Sequence, residues 1–201
     1  MSVETGTEAM LTRRREILAQ GAEPLGWKVG FNVPEIQRKL AIDGPLAGFL
    51  TTDSLIEDEW DEYPVVVESE VAVEIGDDGR SIVAILPALE IVDPPELDLE
   101  IEQILAGNIF HRAVAFGPRV ETTEAGPARI LVNGQEQHSV KPNGLEQMVA
   151  AVAARLEAAG EGLRPGDRII TGVLAPPHEA SEGDTVRLEL EAVGSVEVRF
   201  S

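Results

Sequence analysis

Between Val65 and Ile75 apolar and acidic positions alternate. Val65, Val67, Val71, Val73 and Ile75 fall on one face of an extended chain and Glu68, Glu70 and Glu74 on the other. The spacing predicts a strand that ends at the turn Asp77-Asp78-Gly79. The following run, 82–92, is almost continuously apolar, fits either a helix or a strand, and is interrupted by Glu90 before Asp93-Pro94-Pro95 closes it. Upstream, Met10, Leu11, Ile17 and Leu18 around Arg13-Arg14-Arg15 predict a helix over 8–20. Residues 25–31 read as a strand that places Lys28 between Trp27 and Val29, and Pro34 opens a short helix to about Leu40. Residues 49–52 form a short extended piece ending at Asp53, and the acidic run 57–62 reads as solvated. Further strands are predicted over 113–116, 129–132, 168–171, 185–192 and 195–200, with Asn133-Gly134 as a hairpin turn. Leu145, Met148, Val149, Val152 and Leu156 mark a helix over 144–159, with Gly160 after its end.

Composition narrows the class. A chain of 201 residues with 43% hydrophobic and 26% charged residues fits one folded domain. It contains no cysteine, which excludes disulfides, thiolate zinc sites and a thiol nucleophile, so any metal must bind oxygen or nitrogen. The amino terminus lacks the basic start and apolar run of a signal peptide, and no stretch reaches membrane-spanning length, so a cytoplasmic location is expected. With 36 acidic against 16 basic residues, the net charge of -20 repels phosphate backbones and anionic membranes, and neither nucleic acid nor a membrane is expected as a partner. Such a chain acting on an acidic substrate needs local positive charge, which a bound cation would supply.

The carboxylates are the first candidates. At roughly 3.3 Å rise per residue, Glu68 and Glu70 project about 6.6 Å apart from one face, which would let one cation bridge them or simply let the face meet water. Glu90 lies on the wet side of an amphipathic helix or in a dry strand. In the strand it would have to be neutralised by a raised pKa, a basic partner or a metal. Three oxygen ligands suit Mg²⁺ or Mn²⁺. Lys28 is a substrate clamp or proton donor if buried, and a snorkelling lysine if at an edge. Thr171-Gly172 puts a hydroxyl and a permissive backbone at a strand end, where a substrate carboxylate can be held. His111, His138 and His178 share no ligand spacing, and no phosphate-binding loop, dinucleotide fingerprint or serine elbow is present.

The segments Gly26-Trp27-Lys28-Val29-Gly30, Gly48-Phe49-Leu50-Thr51-Thr52-Asp53, Val67-Glu68-Ser69-Glu70-Val71-Ala72 and Pro87-Ala88-Leu89-Glu90-Ile91-Val92-Asp93 resemble, in order and spacing, the 2-keto-4-pentenoate hydratase branch of the fumarylacetoacetate hydrolase family. The resemblance continues through Gly166-Asp167-Arg168-Ile169-Ile170-Thr171-Gly172 and Gly183-Asp184 to Gly194-Ser195-Val196. It implies an α+β fold, a mixed β-roll or barrel-like sheet like the fumarylacetoacetase C-terminal domain, with flanking helices. A single catalytic domain over 1–201 with a short N-terminal helical arm follows from it. The resemblance further implies Mg²⁺ or Mn²⁺ on Glu68, Glu70 and Glu90, a 2-oxo or 2-hydroxy-dienoic acid substrate that reacts through an enolate, and a homodimer or larger homo-oligomer. Lys28 and Asp53 match family positions that bind substrate or move protons. Where hydratases show Asp-Asn-Ala-Ser, this chain reads Gly107-Asn108-Ile109-Phe110, keeping only Asn108 as a substrate-side candidate. His111 beside the lost hydroxyl and His178 after Thr171-Gly172 are the candidates to take over proton transfer. The expected activity is that of a hydratase-like lyase. The alternatives are a decarboxylase or carbon-carbon hydrolase of the same family, or a non-catalytic metal-binding subunit of an assembly.

Overall fold

Two long antiparallel strands set the architecture. The alternating segment forms β4 (Val65–Ile75), and the ambiguous run beside it is a strand, β5 (Ile82–Val92), paired with β4 along its length so that Glu68 lies opposite Glu90. The computed structural model describes residues 2–96 and 99–201. Ahead of β4 come α1 (Val3–Ala19), β1 (Pro24–Gly30), α2 (Pro34–Lys39), β2 (Leu46–Thr51), a 3-10 turn (Thr52–Ser54) and β3 (Glu59–Trp60). After β5 follow α3 (Ile101–Ala106), β6 (His111–Phe116), β7 (Ala128–Val132), β8 (Gln135–Val140), α4 (Leu145–Ala158), β9 (Arg168–Val173), β10 (His178–Ala180), β11 (Thr185–Leu190) and β12 (Gly194–Phe200).

The strands form two sheets. The larger has seven strands in the order β2-β1-β9-β4-β5-β6, with β10 added to β4, and the smaller has the order β3-β12-β11-β7-β8. Pairing is mostly antiparallel, but β1 runs parallel to β9 and β3 to β12, so the architecture is mixed, as expected. The acidic run 57–62 is not wholly loop, because Glu59 and Trp60 form β3 against Arg199 and Phe200. Helix α1 starts at Ser2, whose hydroxyl caps the Thr5 amide, well before the apolar pattern begins. Gly6 lets it lie against α3, since a Cβ there would stand 2.9 Å from the Glu102 Cα. Among the described residues, no helix is long and apolar enough to cross a membrane.

The large sheet is buried on both faces. Val65, Val67, Val71, Val73 and Ile75 of β4 face the main core with Val186, Leu188, Val198 and Phe200 of the small sheet and Val149, Val152 and Leu156 of α4. The opposite face carries Leu50, Ala72, Leu86, Ala88, Val114 and Ile170, which form a second apolar cluster. The glutamates and Lys28 belong to this second face by register, since Glu68 pairs with Glu90 and Lys28 with Ile170. Glu70, Glu90 and Lys28 are buried there and Glu68 is half-buried, so the reading in which the Glu68 and Glu70 face simply meets water is overturned.

Candidate metal centre

Register brings the three carboxylates together. Glu68 and Glu70 repeat at the strand period on β4, Glu90 faces Glu68 across the ladder, and one oxygen from each lies within 4.8 Å of the others. Glu70 and Glu90 are both 0% exposed. Each has one oxygen fixed and one free. Glu70 Oε2 accepts the Gly172 amide at 2.6 Å, Glu90 Oε1 takes Lys28 and His111, and Glu70 Oε1 and Glu90 Oε2 are buried without a hydrogen-bond partner. Two unpartnered carboxyl oxygens beside a third carboxyl group form an all-oxygen donor set that fits Mg²⁺ or Mn²⁺.

The charges are unevenly held. Burial pushes the Glu68 carboxyl up to about 7, with the Glu90 charge adding to the rise and Lys28 opposing it. Burial and the two neighbouring glutamates push Glu70 well above the usual carboxylate range. Burial would also raise Glu90, but the Lys28 charge and the His111 hydrogen bond outweigh it and hold Glu90 below the usual value. Without a cation and below about pH 7, the cluster thus carries one firm anion, Glu90, and two carboxyls, Glu68 and Glu70, that favour their protonated forms.

Lys28 is 2% exposed and crosses to β5, where its ammonium donates to Glu90 and to the Ile109 carbonyl at 3.2 Å. Gly48, opposite Lys28 on β2, makes room for this path, because a Cβ at that position would stand 2.8 Å from the Lys28 Cγ. His111 braces Glu90 from behind, with Nδ1 2.7 Å from Oε1 and Nε2 3.0 Å from the Ser54 hydroxyl. Gly172 serves by conformation and space. Its φ is +93°, and a Cβ would come 2.5 Å from the Asn32 side chain.

Above the glutamates lies a cavity of about 500 Å³ bordered by Lys28 and Glu68 at its floor and by Phe31, Val33, Phe110 and Leu174 among its walls. The other expected site residues lie elsewhere or have their polar groups engaged. Asp53 is exposed on the 3-10 turn and does not line the cavity. His178 is opposite Val67, which puts it on the sheet face away from the glutamates, and its Nε2 lies 3.0 Å from Asp184. Asn108 brackets the Phe49 backbone, accepting its amide at 2.8 Å and donating to its carbonyl at 3.0 Å. The Thr171 hydroxyl donates to the Val71 carbonyl, and the Gly172 amide is held by Glu70. None of these three lines the cavity; their hydrogen bonds tie together the strands around it. Ser54 and the Ile109 carbonyl went unnoticed in sequence reasoning. No signal marks a backbone carbonyl, while Ser54 directly follows the Gly48 to Asp53 motif.

No family model matches the sequence. Curated relatives do. A 2-hydroxyhexa-2,4-dienoate hydratase of Comamonas testosteroni is 26% identical over 100% of this chain and 87% of its own length. A 2-keto-4-pentenoate hydratase 2 of Dechloromonas aromatica is 26% identical over 93% of this chain and 82% of its own. Among solved structures, a 4-oxalocrotonate decarboxylase from Pseudomonas putida G7, complexed with magnesium and adipate, superposes with a TM-score of 0.88 at 19% identity, covering 100% of this chain and 87% of that one. The chain is thus similar in sequence to hydratases over nearly its whole length and shares its fold with the decarboxylase, in agreement with the resemblance carried by the motifs from Gly26 onward.

Proposed function

We propose that this protein is a hydratase-like lyase, dependent on Mg²⁺ or Mn²⁺, that acts on a short 2-oxo or 2-hydroxy-dienoic acid through an enolate. The observation that carries the reading is the pair of unpartnered buried oxygens, Glu70 Oε1 and Glu90 Oε2, beside Glu68 at the floor of a cavity. Glu68, Glu70 and Glu90 would hold the divalent cation, which would supply Lewis acidity to the bound oxo-acid. Lys28 supplies the charge that draws a substrate anion into a chain of net charge -20, and its ammonium borders the cavity where a proton must be exchanged with carbon. His111 holds Glu90 in place. Asp53 and His178, away from the cavity, take no part in this reading. A cytoplasmic homo-oligomer belongs to the same proposal, and cell fractionation and light scattering would test it.

Hydration, decarboxylation and carbon-carbon hydrolysis branch from one enolate, and one assay separates them. Dienoic and 2-oxo acids are incubated with Mg²⁺ or Mn²⁺ and followed by ultraviolet absorbance and mass spectrometry. Gain of water supports the proposal, while loss of carbon dioxide or cleavage moves the protein to another branch of the family. Turnover undiminished by EDTA, or metal binding with no turnover of any substrate, overturns it.

A further inference from the structure

The cavity above the glutamates is charged only at its floor. Among its described lining residues, Lys28 and Glu68 are the only ones with an ionisable side chain. Lys28 is already engaged by Glu90 and by the Ile109 carbonyl, so it has capacity for one substrate carboxylate at most. The walls are Phe31 and Val33 between β1 and α2, Ile36 in α2, Phe110 after α3, and Leu174 and Pro176 after β9. Pro176 and Pro177 also remove backbone donors from that wall. A second carboxylate in this space would meet no cation, inside a protein whose net charge is -20. The neighbouring decarboxylase, by contrast, was captured with adipate, a dicarboxylate.

Resting on the reading that a 2-oxo acid binds at the glutamates, we propose that the substrate's tail is apolar, extends several carbons into this cavity, and carries no second carboxylate. Phe31, Val33, Ile36 and Phe110 then determine specificity. Each added methylene that leaves water for these walls strengthens binding by roughly fourfold. A distal carboxylate loses that gain and must be stripped of its hydration without a partner.

Calorimetry with saturated 2-oxo acids tests this, because it reads binding whether or not turnover occurs. Pyruvate, 2-oxohexanoate and 2-oxoadipate are titrated into the protein with Mg²⁺ and again with EDTA. The last two share a six-carbon backbone and differ by the distal carboxylate. In Mg²⁺, 2-oxohexanoate should bind roughly 60-fold more tightly than pyruvate, for three added methylenes, and at least about tenfold more tightly than 2-oxoadipate. Val33→Arg, which adds a cation at the exposed rim, should narrow or invert the second ratio. Metal-dependent pyruvate binding together with 2-oxoadipate equal to or tighter than 2-oxohexanoate would overturn the tail assignment and leave the proposed function standing. An unchanged ratio in Val33→Arg would likewise overturn it, by placing the tail outside this cavity. If none of the acids binds in a metal-dependent way, both readings fall.

Discussion

The Glu68→Gln variant tests the electrostatics of the cluster without any substrate. Folding raises the Glu68 carboxyl from its usual 4.5 to about 7, so between those pH values the folded chain keeps a proton that the unfolded chain has released. Stability from this group is therefore fully present below about 4.5 and is lost as pH rises through about 7. At about 1.4 kcal/mol per pH unit the loss is about 3 kcal/mol, reduced toward about 2 kcal/mol because Glu68 borders the cavity and is partly screened. Glutamine keeps the shape and cannot ionise. Urea unfolding in EDTA should find Glu68→Gln about 2 to 3 kcal/mol more stable than the parent at pH 8 and nearly equal to it at about pH 4. Saturating Mg²⁺ should reverse the order, since the parent gains roughly 2.7 kcal/mol at about 100 times its Kd while the variant has lost a ligand. A parent as stable as the variant at pH 8 in EDTA would refute the claim that burial and Glu90 disfavour the Glu68 charge.

Three further variants probe the surroundings. Glu90→Gln should abolish Mg²⁺ binding in calorimetry and, by leaving Lys28 buried without its anion, lower stability by about 3 to 5 kcal/mol; unchanged Mg²⁺ affinity would remove Glu90 from the site. Lys28→Met keeps the apolar stem but strips Glu90 of its cation, so it should destabilise the metal-free protein by a similar amount, recover part of that loss in Mg²⁺, and slow turnover by roughly 100-fold or more. Normal turnover in this variant would rule out the proposed role. Gly48→Ala puts a methyl 2.7 Å from the Asn108 Oδ1 and 2.8 Å from the Lys28 Cγ, and should cost about 1 to 3 kcal/mol by thermal unfolding; parental stability would mean that Lys28 does not follow the path described.

Periodicity identified β4 to the residue but left open what its acidic face does. An alternating strand normally has one wet face, and this one lies in a sheet covered on both sides, so the same pattern encloses carboxylates. Glu90 stayed undecided because a short apolar run has no period that separates helix from strand; its pairing with β4, a contact between distant parts of the chain, decides it. Short or polar elements such as α3, β3 and β10 leave little pattern, and β8, with Gln135, Glu136 and Gln137 exposed at a sheet edge, leaves none. The clustering of Glu68, Glu70 and Glu90 and the place of Lys28 beside them were legible through residue type, pattern and family resemblance together. The orientations of Thr171 and Asn108 were not, because a hydroxyl or amide at an element's end reads the same whether it faces a cavity or a neighbouring strand.

The segment where this chain departs from the hydratase pattern is also its most strained. Asn108, Ile109 and Phe110 all have φ between 54° and 63°, in the left-handed region. Asparagine tolerates this, but a β-branched and an aromatic residue there cost about 1 to 3 kcal/mol each. Several bonds hold the run in place: Asn108 brackets Phe49, the Ile109 amide donates to the Ile104 carbonyl, and the Asp93 amide donates to the Phe110 carbonyl. Relaxing it would withdraw the Ile109 carbonyl from Lys28 and turn both side chains out of the cavity wall. Relative to the Asp-Asn-Ala-Ser pattern of the hydratases, Gly-Asn-Ile-Phe therefore offers two apolar side chains to the cavity in place of an acid and a hydroxyl, while the backbone carbonyl of Ile109 accepts from Lys28. In the proposed reaction, proton transfer at the cavity is assigned to Lys28, which borders it. Behind it, Glu90, His111 and Ser54 form a chain of contacts back to the 3-10 turn, which keeps the ammonium beside the carboxylates.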